Sequence, residues 1–232
     1  NAAPLAVFHL RSLQRLIRPE DPHDTASYEQ VVHLTKEALE DLRWWKDNVL
    51  RLPPISCIRF SPTVTLVTDA SKRGWGAVCC GKKIGGRWSP IEARKHINIL
   101  ELQAIFFGLK CFAEKWREID VLIESDNTTA IAYIRNLGGA KSDGLNELAF
   151  EIYKWVEARK LRIMATHRPG VDNAEADWES RNVLRENAES ALNSKIAERL
   201  FSRLGRPDID LFASRLNTKL PRFFSFFPDP DA

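Results

Sequence analysis

The chain has 232 residues, of which 44% are hydrophobic and 28% charged, a mixture that suits a globular protein and excludes a disordered one. Its longest apolar run, Ile97 to Phe107, is interrupted by Asn98, Glu101 and Gln103, so nothing approaches the roughly 18–20 apolar residues a membrane span needs, and no membrane partner is expected. A net charge of +3 permits a phosphate-bearing partner without demanding one.

Residues Asn1 to Leu10 carry neither a Met nor a basic stretch followed by an apolar one, so they read as a cut from a longer polypeptide rather than as a secretory leader. From Pro4 to Ile17 the positions Leu5, Phe8, Leu13, Leu16 and Ile17 fit one face of a helix that stops before Pro19. Glu20 to Tyr28 is a polar link. Thr35 to Leu50 repeats the helical pattern, with Thr35 as N-cap and Leu39, Leu42, Trp45 and Val49 on one stripe. Pro53 and Pro54 end it and mark a boundary.

Val64 to Thr68, Gly74 to Cys80 and Lys83 to Trp88 are rich in β-branched or aromatic residues and punctuated by Gly, which predicts an antiparallel meander. Ile97 to Trp116 predicts a long helix and Val121 to Glu124 a short buried strand. Thr128 to Asn136 and Leu145 to Arg159 predict two helices, Leu161 to Thr166 a last strand, and Asn173 to Arg181 a last helix of the unit. The order β-β-β-α-β-α-α-β-α implies an α/β fold with helices packed on a mixed sheet. Beyond it, Ser190 to Leu204 predicts another helix, and Arg206 to Ala232 is a Phe- and Pro-rich extension. The division expected is a helical segment over 1–60, a central domain over 61–185, and a C-terminal extension over 186–232.

Cys57, Cys79, Cys80 and Cys111 show no CxxC spacing and are expected to be reduced core thiols of an intracellular protein, cytoplasmic or nuclear. As strand neighbours, Cys79 and Cys80 are expected to face opposite sides.

Four carboxylates sit where elements end or where a helix faces the sheet: Asp69, Glu101, Asp126 and Asp177. Singly, Asp69 suits a turn, Asp126 a helix N-cap and Asp177 a solvated helix face. Glu101 is harder to dismiss, because Leu100, Ala104, Ile105 and Leu109 surround it and an unpartnered carboxylate there is costly. Together they would repel one another unless cations neutralise them. Oxygen donors without His or Cys point to Mg²⁺ or Mn²⁺, and two such ions suit in-line hydrolysis of a phosphodiester.

These segments resemble the RNase H domain of retroelement reverse transcriptases. Val67-Thr68-Asp69-Ala70-Ser71 is similar to its first-strand motif, Leu100-Glu101-Leu102-Gln103-Ala104-Ile105 to its helical Glu motif, and Glu124-Ser125-Asp126-Asn127 to its fourth-strand Asp motif. His167-Arg168-Pro169-Gly170, with Asn173 and Ala176-Asp177, resembles its histidine loop and final Asp, ten residues apart from His167 to Asp177. The resemblance covers residues 61 to 185. Outside it, Leu39-Glu40-Asp41-Leu42-Arg43-Trp44-Trp45, Asp210-Leu211-Phe212-Ala213-Ser214-Arg215 and Leu220-Pro221-Arg222-Phe223 are similar to segments flanking RNase H in DIRS-type retrotransposon polyproteins.

The resemblance implies an RNase H-like fold, a mixed five-stranded sheet with helices on both faces. It implies an endoribonuclease that cuts the RNA strand of an RNA/DNA hybrid with two ions held by Asp69, Glu101, Asp126 and Asp177, beside a reverse transcriptase polymerase domain in the parent polypeptide. His167 would sit on a mobile loop and aid product release or proton movement. Ser71, Asn98, Asn127 and Thr129 match places that touch the hybrid backbone. Glu124 departs from the family strand, which is usually apolar or neutral there. Alternation puts it on the side of Asp126, as an extra ligand or as a surface charge on an edge. Two other functions remain open: a catalytically idle or domesticated module that binds nucleic acid or protein, and a nuclease acting on DNA. The four intact carboxylates argue against the first, since concentrated negative charge does not help a module that only binds phosphates. Trp44, Trp45 and Trp75 are core residues more readily than base-stacking ones.

Overall fold

The computed structural model describes residues 4–16, 31–52, 59–181 and 191–232. Ile17, the link from Glu20 to Tyr28, Pro53-Pro54, Cys57 and Ser190 lie outside the described residues.

Five strands, β1 (Val64–Ala70), β2 (Gly74–Cys79), β3 (Lys82–Arg87), β4 (Asp120–Ser125) and β5 (Arg162–His167), form one sheet in the order β3-β2-β1-β4-β5. Short connections make β1–β2 and β2–β3 antiparallel hairpins, whereas β1–β4 and β4–β5 are parallel and need helical crossovers. α4 (Ile97–Ala113) supplies the first crossover, and α5 (Thr128–Arg135) with α6 (Asp143–Glu157) the second. α7 (Ala174–Arg181) follows β5. The elements over 64–181 are the predicted ones, with ends moved by a few residues at most, and the sheet is the expected mixed five-stranded one.

Helices cover both faces. A Cβ on Gly76 would lie 2.2 Å from the Ala176 carbonyl oxygen in α7, so only glycine allows that helix to lie on the sheet. One residue on, the Ala77 side chain meets α4, 3.1 Å from where a Cβ on Gly108 would stand. Neighbouring strand residues point to opposite faces, so α4 and α7 do too. Between sheet and α4 lies a core that includes Leu66, Leu100, Ile105, Leu109 and Ile123. α4 is buried on most sides, against the sheet and against α6, and this carries Glu101 into the interior.

Cys79 and Cys80 do not face opposite sides. Cys80 and Gly81 have φ of +50° and +73°, the two left-handed positions of a tight hairpin turn, and the chain reversal brings the two sulfurs to 3.8 Å. Cys79 alone of the described cysteines is fully buried, with Cys80 exposed and Cys111 half-buried.

The N-terminal helix is divided into α1 (Pro4–Phe8) and α2 (Arg11–Leu16). The His9 carbonyl accepts the Trp45 indole N–H at 3.0 Å, and Phe8 turns into the core. α3 (Lys36–Asn48) begins on Thr35, whose hydroxyl accepts from the Ala38 amide at 3.2 Å, as expected of an N-cap. Its predicted apolar stripe is not the buried face: Leu39, Leu42 and Val49 are 39–49% exposed. Polar anchors set the helix instead, since Asp41 accepts from Ser12 and pairs with His9, whose ring stacks on Trp44 at 4.0 Å. In the C-terminal region, α8 (Ser194–Leu204) is followed by β6 (Asp210–Leu211) and β7 (Phe223–Phe224), a parallel pair not predicted. Arg215 ties this region to the central unit: it pairs with Glu92 at 2.9 Å and lies 4.7 Å over the Phe107 ring.

Candidate metal centre

β1 and β4 are parallel neighbours, so their C-terminal ends open on the same edge of the sheet. Asp69 stands near the end of β1 and Asp126 directly after β4; α4 crosses above them and lowers Glu101 from its second turn. Oxygen atoms of these three carboxylates all lie within 4.8 Å of one another.

Asp69 and Glu101 are 6% and 4% exposed. Burial, then the charges of Asp69 and Asp126, push the Glu101 carboxyl up to about 9 against the opposing effect of a hydrogen bond from the Ala70 backbone. Asp69 is also raised, by burial first and by Asp126 and Asp177, while a hydrogen bond from Ser180 opposes the rise. That bond, from the fully buried Ser180 hydroxyl to Oδ2 of Asp69, measures 2.6 Å. Oε2 of Glu101 is buried without a hydrogen-bond partner. An orphaned buried oxygen inside a crowded set of hard oxygen donors is the condition a divalent cation relieves, so the residues present fit such an ion.

Asp177 is not within this trio. Its Oδ1 accepts from Arg181 at 2.6 Å, one helical turn on, although its charge is felt at Asp69. α7 places it because Gly76 and Gly85 let the helix approach the sheet; a Cβ on Gly85 would lie 3.1 Å from Glu179.

His167 is the last residue of β5, exposed and paired with Ser125, rather than part of a loop. The ladder runs one residue further than predicted, and the loop begins at Arg168. It passes close to the trio: a Cβ on Gly170 would stand 3.2 Å from Oδ2 of Asp126. Glu124 is neither a surface charge on an edge nor a member of the trio, since β4 is an interior strand and the Glu124 carboxylate pairs with Arg168 at 2.5 Å.

Asn127 caps α5 through its Oδ1 and donates from Nδ2 to Oδ1 of Asn98 at 3.0 Å, so these two lie together at the rim. Thr129 is half-buried in the first turn of α5. The Ser71 hydroxyl is occupied within the protein: it donates to the Ser180 carbonyl at 2.7 Å and accepts from the amides of Arg73 and Gly74. Trp75 is a core residue, edge-on to Phe107 at 5.3 Å. Sequence reasoning missed Ser180 and Arg181. The available signal was their spacing, three and four residues after Asp177 on one helix face.

Residues 65–183 match the protein family described as Reverse transcriptase-like. No curated protein matches the chain. Among solved structures, the chain is similar to RNase H1 from the halophilic archaeon Halobacterium salinarum NRC-1, at 17% identity and a TM-score of 0.44 over 53% of this chain and 98% of that one. It is similar to LC11-RNase H1 in complex with an RNA/DNA hybrid, at 17% identity and a TM-score of 0.46 over 55% and 100% of the two chains. Similarity to the Prototype Foamy Virus protease-reverse transcriptase is 9% in identity with a TM-score of 0.31, over 68% of this chain and 24% of that one. The family match spans more than half of the sequence and includes all three carboxylates of the trio, and on that match the chain belongs to the reverse transcriptase-like family.

Proposed function

We propose that this chain is an endoribonuclease that hydrolyses the RNA strand of RNA/DNA hybrids, with Asp69, Glu101 and Asp126 holding divalent ions and Asp177 beside them. The observation that carries the reading is the convergence of three carboxylates within 4.8 Å, one of them with a buried oxygen that no protein group satisfies. Two ions, Mg²⁺ or Mn²⁺, supply when bound the activation of water and the neutralisation of charge on the phosphodiester. The protein's part is to hold the donors: Ser180 fixes Asp69, and the Ala70 backbone restrains Glu101. His167, exposed at the end of β5, would exchange a proton or aid product departure. Asn127 commits its amide N–H to Asn98, which leaves the Asn98 amide as a donor for the sugar–phosphate backbone.

By the resemblance of segments 39–45, 210–215 and 220–223, we read the chain as part of a DIRS-type retroelement polyprotein that also carries a polymerase domain and works inside the cell. The test is incubation with matched RNA/DNA, RNA/RNA and DNA/DNA duplexes in Mg²⁺. The expected result is cleavage of the RNA strand of the hybrid alone. Cleavage of DNA/DNA would assign a DNA nuclease instead, and tight binding without any cleavage a module that only binds.

A further inference from the structure

Glu124 lies on an interior strand, between Val67 of β1 and Thr166 of β5, where a charge needs a partner. Its partner is Arg168, 44 residues on, at 2.5 Å and part-buried on both sides. The same guanidinium donates from Nε to the Asp172 carbonyl at 2.8 Å, and the Arg168 amide donates to Ser125 at 2.9 Å. The far end of the segment is fastened as well. Asn173, 2% exposed, donates from Nδ2 to the Thr68 carbonyl of β1 at 3.2 Å. Between these fastenings, the amides of Asp172 and Asn173 close back on the carbonyls of Pro169 and Gly170, and Gly170 abuts Asp126.

We infer that Glu124 and Arg168 are a positioning pair: the ion pair clamps the turn over 168–173 onto β4, which sets Gly170 against Asp126 and fixes the direction in which the chain leaves the sheet after His167. The pair acts through the turn and touches no ligand, and its effect on catalysis rests on the function proposed above. The planar guanidinium spreads its donors over separate nitrogens, so Nη1 meets the Glu124 carboxylate while Nε meets the Asp172 carbonyl.

The test is a double-replacement cycle with Glu124→Gln, Arg168→Gln and the two combined, read by hydrogen exchange at the Asp172 and Asn173 amides, by Mn²⁺ calorimetry and by hybrid cleavage. The expected result is faster exchange in each single variant and no further rise in the double. Mn²⁺ affinity should be nearly unchanged, and turnover should fall about tenfold in all three, within the roughly 100-fold that a misplacement of about 1 Å can cost. Additive effects, or exchange unchanged in the single variants, would overturn the pairing. Loss of Mn²⁺ affinity in Glu124→Gln alone would make Glu124 a ligand and overturn it too. Coupled exchange in a protein whose native form cleaves no hybrid would leave the clamp standing and remove the proposed activity.

Discussion

Ser180 donates a 2.6 Å hydrogen bond to Oδ2 of Asp69 from the same face of α7 that carries Asp177, so one short helix both holds the first carboxylate and delivers the fourth to its neighbourhood. Replacing Ser180 by Ala leaves a buried carboxylate oxygen without that donor. Stability in chelator at pH 7 should fall by about 1–3 kcal/mol, the range for leaving a buried polar group unsatisfied, as measured by denaturant unfolding. An unchanged midpoint would show that the bond contributes nothing to the fold.

Gly76 is the contact that lets α7 lie where it does. In Gly76→Ala the new methyl meets the Ala176 carbonyl at 2.2 Å, closer than any real contact, so the helix must shift. Overpacking of this kind costs about 1–3 kcal/mol. The variant should melt lower and bind Mn²⁺ more weakly by calorimetry, because the shift draws Ser180 away from Asp69.

The raised Glu101 carboxyl makes stability depend on pH in a defined direction. Its folded value, about 9, lies above its ordinary 4.5, so its contribution to stability is fully present below about 4.5 and is lost as the pH rises through about 9. In chelator, native protein should therefore lose stability relative to Glu101→Gln between pH 5 and 9, by denaturant midpoints at each pH. A difference that is flat or of opposite sign would contradict the burial and crowding of that carboxyl.

What was legible in the sequence follows from how each signal is encoded. Local periodicity showed the strand ends and the apolar helix around Glu101, and the resemblance of the motifs to RNase H joined Asp69, Glu101 and Asp126 into one site; parallel β1 and β4 bring their ends together. Ser180 was missed because its bond to Asp69 spans 111 residues, so the spacing from Asp177 gives no sign of that partner; Arg181 pairs with Asp177 one turn away, at a spacing that is local but common on polar helices. The stripe on α3 misled for the converse reason. Periodicity reports which residues share a face, whereas the His9–Asp41 pair and the Trp45–His9 bond decide which face turns inward. The close sulfurs of Cys79 and Cys80 depend on a left-handed φ at Cys80, a residue with no preference for it.

Removing one charge from the trio should help the fold when no cation is present. Asp126→Asn is expected to raise the melting temperature in chelator by a few degrees if about 1 kcal/mol of repulsion is relieved. Added Mg²⁺ should stabilise the native protein more than the variant, since the weaker site gives a smaller linkage gain. Paired thermal melts check this. A native protein already the more stable in chelator and indifferent to Mg²⁺ would mean that the three carboxylates are not a shared site.

The most direct measurement is cleavage of an RNA/DNA hybrid by native protein and by Asp126→Asn across a Mg²⁺ titration. The amide keeps the shape of the carboxylate but not its charge, so the native chain should cut the RNA strand in a Mg²⁺-dependent manner and the variant should show no measurable turnover at any Mg²⁺ concentration. Equal Mg²⁺-dependent cleavage by both proteins would contradict the assignment of Asp126, and with it the trio, as the site of hydrolysis.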